Sequence, residues 1–190
     1  MIITRQQLRK IISEMAAKQP EALSDSFHWE VRQWERLGWD EDDWDGLYGD
    51  KIVKNIFVTG HIDTGRGDRP SRIAHISLKQ KPWSDCPHWE VKNASVSRYV
   101  DTLYDIAMEL AGDAGLISDS GGTSAAAQRV WDFYLDNRVG VDVEVRDLAP
   151  GICGRDGNSS LAFMGKAYYK KVGTSSIIDQ LKGLGKLRYL

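Results

Sequence analysis

Cysteine and proline are scarce in this sequence, whose 190 residues contain two cysteines and five prolines. Cys86 and Cys153 form neither a Cys-x-x-Cys pair nor a cluster with histidine, so we recognise no structural zinc motif. A pair of cysteines in a chain of this length is more typical of reduced intracellular thiols than of a disulfide framework. A chain this long buries roughly 70% of its unfolded surface and needs neither a metal nor a disulfide to hold its core. We therefore expect two free thiols.

Long apolar runs and an excess of charge are also missing. The sequence has 25 Lys and Arg against 27 Asp and Glu, a net charge of -2, which disfavours nucleic acid as the principal ligand. No window reaches about 18 consecutive apolar residues, and residues 1–5 have no apolar signal core before charges recur. We expect one globular domain in the cytoplasm, with no membrane span.

The spacing of apolar residues predicts two helices and then several strands. A helix over 4–18 has an apolar stripe, and a second over 25–37 would bury Phe27, Val31, Trp34 and Leu37. From residue 51 the period changes to two, which predicts strands over 52–59 and 72–78, joined by a Gly-rich segment over 60–71. A third strand is predicted over 88–96.

The second half of the sequence alternates helices and strands. It predicts a helix over 99–110, a buried run over 116–118, a helix capped by Thr123 or Ser124, strands over 141–145 and 167–172, and a closing helix to 184. We predict a single α/β domain with a mixed, mostly antiparallel central sheet flanked by helices. Its parts are N-terminal helices over 4–38, a central sheet region over 51–148, and a C-terminal strand and helix over 167–187.

Residues 88–138 resemble a known family. Trp89 to Val96, the Leu103 and Tyr104 pair, Leu116 to Asp119, and the segment from Ser124 to Trp131 are similar to the central part of GCN5-related N-acetyltransferases, especially versions from tailed phages. The resemblance implies a GNAT-like fold, acetyl-coenzyme A as cofactor, and transfer of an acyl group to a small-molecule or protein amine. For a phage protein, the compartment would be the cytoplasm of the bacterial host.

The resemblance also implies roles for particular residues. Glu90 would be the general base and Tyr134 the general acid, although Glu90 facing solvent and Tyr134 in the core explain the same positions. The strand over 88–96 would part from the next strand and leave a V-shaped opening. The implied cofactor-binding residues are Val91, Asn93, Ser95, Val96, Ser97, Arg98, Tyr99 and Ser124.

The turn after this strand departs from the family pattern. Family members place glycines there, whereas residues 95–102 contain none. Arg98 and helix N-terminal amides would still attract a phosphate, and Asp101 would repel it. A second hypothesis is therefore a noncatalytic, partner-binding protein on the same fold with a degenerate cofactor turn.

Three further patterns indicate structure more than chemistry. Residues 60–64 are similar to the Gly-His-x-Asp-Thr segment of M20-type zinc aminopeptidases, but a polar hairpin turn explains them and we predict no metal. The acidic segment 41–46 is similar to the start of a calcium-binding loop. Such a loop needs Glu at its last position, where this sequence has Ile52, so we favour a solvated turn. Four tryptophans recur every five residues: Trp29, Trp34, Trp39 and Trp44. Some of them belong in the core, and the last two would suit the rim of a cleft.

Overall fold

The computed structural model describes residues 26–37, 52–63, 70–80, 86–96, 99–118, 123–149, 151–154 and 163–190. Within these ranges the chain is an α/β fold with an eight-stranded mixed sheet and three α-helices. The strands are β1 Phe27–Leu37, β2 Ile52–Ile62, β3 Ser71–Gln80, β4 Trp89–Val96, β5 Leu116–Ile117, β6 Val143–Asp147, β7 Lys166–Lys170 and β8 Leu187–Tyr189. The helices are α1 Val100–Ala111, α2 Ala125–Phe133 and α3 Ile177–Gly183.

The sheet has the strand order β6-β7-β5-β4-β3-β2-β1-β8. Two neighbouring pairs are parallel, β1 with β8 and β4 with β5, and the other five are antiparallel. The predicted mixed, mostly antiparallel sheet is therefore confirmed for the described part of the chain. None of the described helices is long and apolar enough to cross a membrane.

The main core lies between one face of the sheet and α1. Strand β1 contributes Phe27, Trp29 and Val31 to this face, and α1 buries Leu103 and Met108 against it. Trp29 lies opposite Gly60 of β2, and a Cβ atom at Gly60 would be only 2.9 Å from the indole ring. A glycine is therefore needed at this position for the tryptophan to pack on the strand.

The prediction of a helix over 25–37 is wrong, because residues 27–37 form the strand β1. Phe27, Trp29 and Val31 also alternate with period two, and this period prevails because β1 pairs with β2 along its whole length. Residues 32–36 are all exposed, so this half of β1 depends on backbone hydrogen bonds that the sequence does not reveal.

The other predicted elements within the described residues are confirmed, with shifted bounds. Strand β2 continues through residues 60–62, which were predicted to be a turn, and β8 was not predicted at all. The helix predicted over 4–18, the acidic segment 41–46, Trp39 and Trp44 lie outside the described residues. Of the other two tryptophans, Trp29 is in the core and Trp34 is 40% exposed.

The prediction of two free thiols is wrong, because Cys86 and Cys153 form a disulfide. The two cysteines are 67 residues apart in sequence, but their Cα atoms lie 4.4 Å apart. They pack on a small apolar cluster of Ile117, Ala167 and Tyr169. Sequence spacing could not show this pairing, because it depends on how β5, β6 and β7 are arranged.

Candidate functional site

The candidate site begins where β4 and β5 part. These strands pair only at Trp89 with Leu116 and at Glu90 with Ile117. Strand β5 ends there, whereas β4 continues to Val96. The pairing is parallel, and beyond it no other described strand pairs with this edge of β4.

A β-bulge lies in β4 where the strands part. Ser77 of β3 pairs with Asn93 and Leu78 pairs with Val91, so Lys92 is an extra residue in the ladder. A bulge bends its strand and redirects the side chains on both sides of it. Residues on both sides of this bulge therefore face a common space.

That space is a cavity of about 230 Å³. It lies between the bulged part of β4, one side chain of α1, and α2 together with the two residues that precede it. Its wall combines apolar, aromatic and polar side chains: Val91, Lys92, Asn93, Ala94, Tyr104, Thr123, Ser124, Ala127 and Trp131. Ligand sites are commonly clefts with an apolar lining and a few oriented polar groups.

The polar end of the cavity is formed by the start of α2. Ser124 caps this helix, its Oγ accepting a hydrogen bond from the backbone N–H of Ala127 at 3.3 Å. The Oγ1 of Thr123 is buried and has no hydrogen-bond partner within the part of the chain that the structure describes. A buried, unpartnered hydroxyl is costly unless a ligand or water satisfies it. This end of the cavity therefore favours a ligand with hydrogen-bonding groups.

The opposite wall is aromatic. Tyr104 and Trp131 are each 1% exposed and pack edge to face, with ring centroids 5.4 Å apart. Burial raises the pKa of Tyr104 to about 12, so its hydroxyl stays protonated at neutral pH.

The predicted base, Glu90, lies at the last position where β4 pairs with β5. It immediately precedes the part of β4 that lines the cavity. Its Oε2 is 3.2 Å from Nζ of Lys92, and its side chain is 20% exposed. The carboxylate is thus reachable from solvent and close to a cavity-lining cation.

The predicted acid, Tyr134, is fully buried in the π-helical turn Tyr134–Arg138 that follows α2. Its single hydroxyl proton is shared between two acceptors, Oδ1 of Asp105 at 2.9 Å and the carbonyl oxygen of Asp101 at 3.1 Å. Burial, together with the nearby negative charge of Asp105, raises the pKa of Tyr134 well above its usual value. Tyr134 is not among the residues that line the cavity, and its ring centroid lies 6.2 Å from that of the cavity-lining Tyr104.

Arg138 completes this buried network. One of its Nη atoms is 3.0 Å from Oδ1 and 3.1 Å from Oδ2 of Asp105, and its Nε is 2.7 Å from Oδ1 of Asp142. Burial raises the pKa of Asp105 even though Arg138 acts in the opposite direction. The network ties α1 to the end of α2 and to the start of β6.

Of the eight predicted cofactor-binding residues, three line the cavity: Val91, Asn93 and Ser124. Ser95 is exposed further along β4, opposite His75, and Val96 ends the strand. Ser97 and Arg98 lie outside the described residues.

Tyr99, the last of the eight, precedes α1 with φ 62 and ψ 38. This left-handed conformation is rare for a bulky residue and suits glycine better. Its ring packs against Phe27, with centroids 4.9 Å apart. Residue 99 thus has a backbone conformation that glycine adopts easily, but its side chain belongs to the core.

The sequence did not indicate six of the nine cavity-lining residues: Lys92, Ala94, Tyr104, Thr123, Ala127 and Trp131. Thr123 was considered only as a helix cap, and Trp131 only as part of the segment that resembles the acetyltransferase family. The sequence does not distinguish an aromatic residue in a cavity wall, such as Tyr104 or Trp131, from one in the core. Lys92 was missed because a bulge depends on the register between two strands. The polar pair at 123–124 was the signal that could have indicated the site.

Among the described residues, no three His, Cys, Asp or Glu side chains are arranged to hold a metal ion. His61, in the segment similar to zinc aminopeptidases, lies on β2 with its ring stacked on His28 at 5.4 Å. Its Nε2 is 3.3 Å from Oε2 of Glu30.

The chain was compared with protein-family models, curated proteins and solved structures, and no match was found in any of the three.

Proposed function

We propose that this protein is an acetyl-coenzyme A dependent N-acyltransferase that binds its thioester in the cavity between β4 and α2. One observation carries the proposal: β4 and β5 part after two paired positions, and the open edge of β4 forms one wall of the cavity. The order of strand, helix, short strand and helix between Trp89 and Phe133 is also the order that the sequence resemblance implies.

The open edge suits a ligand with an extended, amide-containing chain. Backbone N–H and C=O groups that lack a neighbouring strand bind extended peptide-like groups well. The pantetheine arm of coenzyme A carries two amide bonds. Sites for drug-sized ligands typically enclose about 300–1,000 Å³. A cavity of about 230 Å³ would therefore hold the acyl group and part of this arm, with the nucleotide outside.

The reaction requires two proton transfers. As the amine nitrogen attacks the carbonyl carbon, the C–N bond forms, the C–S bond breaks, and the electron pair passes to sulfur. We assign removal of the amine proton to Glu90, directly or through a water molecule. We assign protonation of the sulfur to Tyr104, since it is a proton-bearing side chain that lines the cavity. We do not assign this role to Tyr134, because its hydroxyl is hydrogen-bonded to Asp105 and Asp101.

A calorimetric titration with acetyl-coenzyme A tests the proposal. Ala127 lines the cavity on α2, and the neighbouring Ala126 is exposed. Ala127→Leu would fill the cavity with a larger side chain. Ala126→Leu is the matched control, because leucine is a good helix former at both positions. We expect heat with the parent and with Ala126→Leu, and a loss of at least about tenfold in affinity with Ala127→Leu. Equal affinities of the two variants would contradict this location.

The partner-binding hypothesis keeps one observation in its favour. Tyr99 has a left-handed backbone conformation before α1, and its large side chain packs against Phe27. A small residue at this position would leave room for a phosphate. No heat and no thermal stabilisation of the parent at about 1 mM acetyl-coenzyme A would favour this second function, because any ligand of the native state stabilises it.

A further inference from the structure

The sheet consists of two blocks joined by a narrow seam. One block contains β8, β1, β2, β3 and β4, and the other contains β5, β7 and β6. Across the seam, β4 and β5 share two register positions, whereas β3 and β4 share six. Strand β5 also shares only one register position with β7, so the backbone ladders on the two sides of β5 are the weakest in the sheet.

Two further polar contacts cross the seam between residues that the structure describes. The N–H of Trp89 donates to the carbonyl oxygen of Gly115 at 2.9 Å, and Nδ1 of His88 contacts the carbonyl oxygen of Ala114. Helix α1 packs against β2 and β3 of one block and against β7 of the other. Packing by α1 thus helps to hold the two blocks together.

The disulfide crosses the same seam. Cys86 precedes β4 by three residues, and Cys153 lies between β6 and β7. The bonded pair packs on Ile117 of β5 and on Ala167 and Tyr169 of β7. This is the end of β4 where the strands are paired, and the cavity lies beyond it.

We propose that the Cys86–Cys153 disulfide is a redox-sensitive clamp that fixes how far β4 and β5 diverge, and hence the width of the cavity. Both cysteines are half-buried, so the bond is partly accessible to a dithiol reductant. Two electrons and two protons from the dithiol convert the bond to two thiols, while the dithiol becomes a disulfide. The blocks then keep the packing of α1, the two ladder positions and the contacts of His88 and Trp89, but they lose their covalent link, and the cavity opens more readily. This inference does not depend on which ligand the cavity takes.

A thiol count tests the bond itself. The chain contains only two cysteines, so any effect of a reductant has one target. The denatured protein, unfolded without reductant, should show no free thiols, and it should show two after treatment with a dithiol. Two free thiols before treatment would overturn the proposal.

Amide hydrogen exchange tests the clamp. After reduction, we expect the amides of Leu116 and Ile117 to exchange at least about tenfold faster, and those of Val31 and Val58 in the large block to change much less. The variant with both Cys86→Ser and Cys153→Ser should show the fast pattern with and without dithiol. Equal acceleration in both blocks would mean that the bond only stabilises the fold as a whole. That result, or no acceleration, would contradict the clamp.

Discussion

At the scale of single residues, Gly115 shows how closely the chain approaches itself at the seam. Its φ is 71, and a Cβ atom there would lie 2.5 Å from the ring of Tyr169. That ring is 8% exposed, and the guanidinium of Arg146 lies 4.2 Å from its centroid. Both the backbone conformation and the lack of space therefore require glycine.

Replacing this glycine should be costly for two separable reasons. Gly112 also has a positive φ, but among the described residues, apart from its chain neighbours and its own helix backbone, no atom lies within 4 Å of a Cβ built there, so Gly112→Ala measures the backbone cost. We expect Gly115→Ala to lower the free energy of unfolding by about 1–3 kcal/mol more than Gly112→Ala, since the tyrosine must shift. Urea denaturation of both variants measures this difference, and equal losses would refute the close contact.

Histidine burial should make stability depend on pH. Burial, with a smaller effect from the charge of Arg72, lowers the pKa of His75 below its ordinary value of 6.5. The unfolded chain then binds more protons than the folded chain at mildly acidic pH. The stability associated with neutral His75 is complete above about pH 6.5 and is lost as the pH falls toward the lowered pKa.

His75→Gln removes this titrating group. The free energy of unfolding should therefore fall less steeply between about pH 7 and pH 5 in the variant than in the parent. Chemical denaturation at several pH values provides the comparison. Parallel curves for the two proteins would show that His75 does not contribute.

At the scale of elements, Arg138 joins three parts of the chain. It is 5% exposed and pairs with Asp105 of α1 and with Asp142 before β6. Arg138→Met should lower the free energy of unfolding by about 3–5 kcal/mol, because Asp105 then remains buried without its cation.

Adding Asp105→Asn should restore part of this loss, since the amide removes the unpaired charge and its oxygen still accepts from Tyr134. Thermal unfolding of the single and double variants gives the comparison. A double variant less stable than Arg138→Met alone would contradict the charge argument.

Element prediction from the sequence succeeded where one apolar period dominates. The stripe that includes Leu103, Ile106 and Ala107 indicated α1, and these residues are all buried. It failed at β1, because Phe27 and Val31 fit both a helical stripe and an alternating strand. Only the full-length pairing with β2, formed by residues at least 15 positions away, decides between the two periods.

The candidate site was partly predictable for a similar reason. Ser124 was recognisable because serine before an apolar helix is a common cap. Lys92 was not, because a bulge depends on the register between β3 and β4. The disulfide was not predictable either, since its two ends meet only when both sheet blocks are assembled.

At the scale of the whole molecule, the weak seam and the cavity have one cause. Strand β5 contains two residues, so β4 loses its neighbour immediately after Glu90. The same short strand leaves an open edge for a ligand and leaves the two blocks joined mainly by α1 and the disulfide. Ligand binding and the cohesion of the sheet are therefore expected to be linked.

The central claim is that the cavity beyond the seam binds coenzyme A along the open edge of β4. Amide hydrogen exchange of the disulfide-bonded protein, with and without saturating coenzyme A, tests this most directly. We predict slower exchange at residues 91–94 and at the start of α2, where the ligand would contact the chain, and little change on β6. Protection confined to other surfaces, or no protection at any described strand, would contradict the claim.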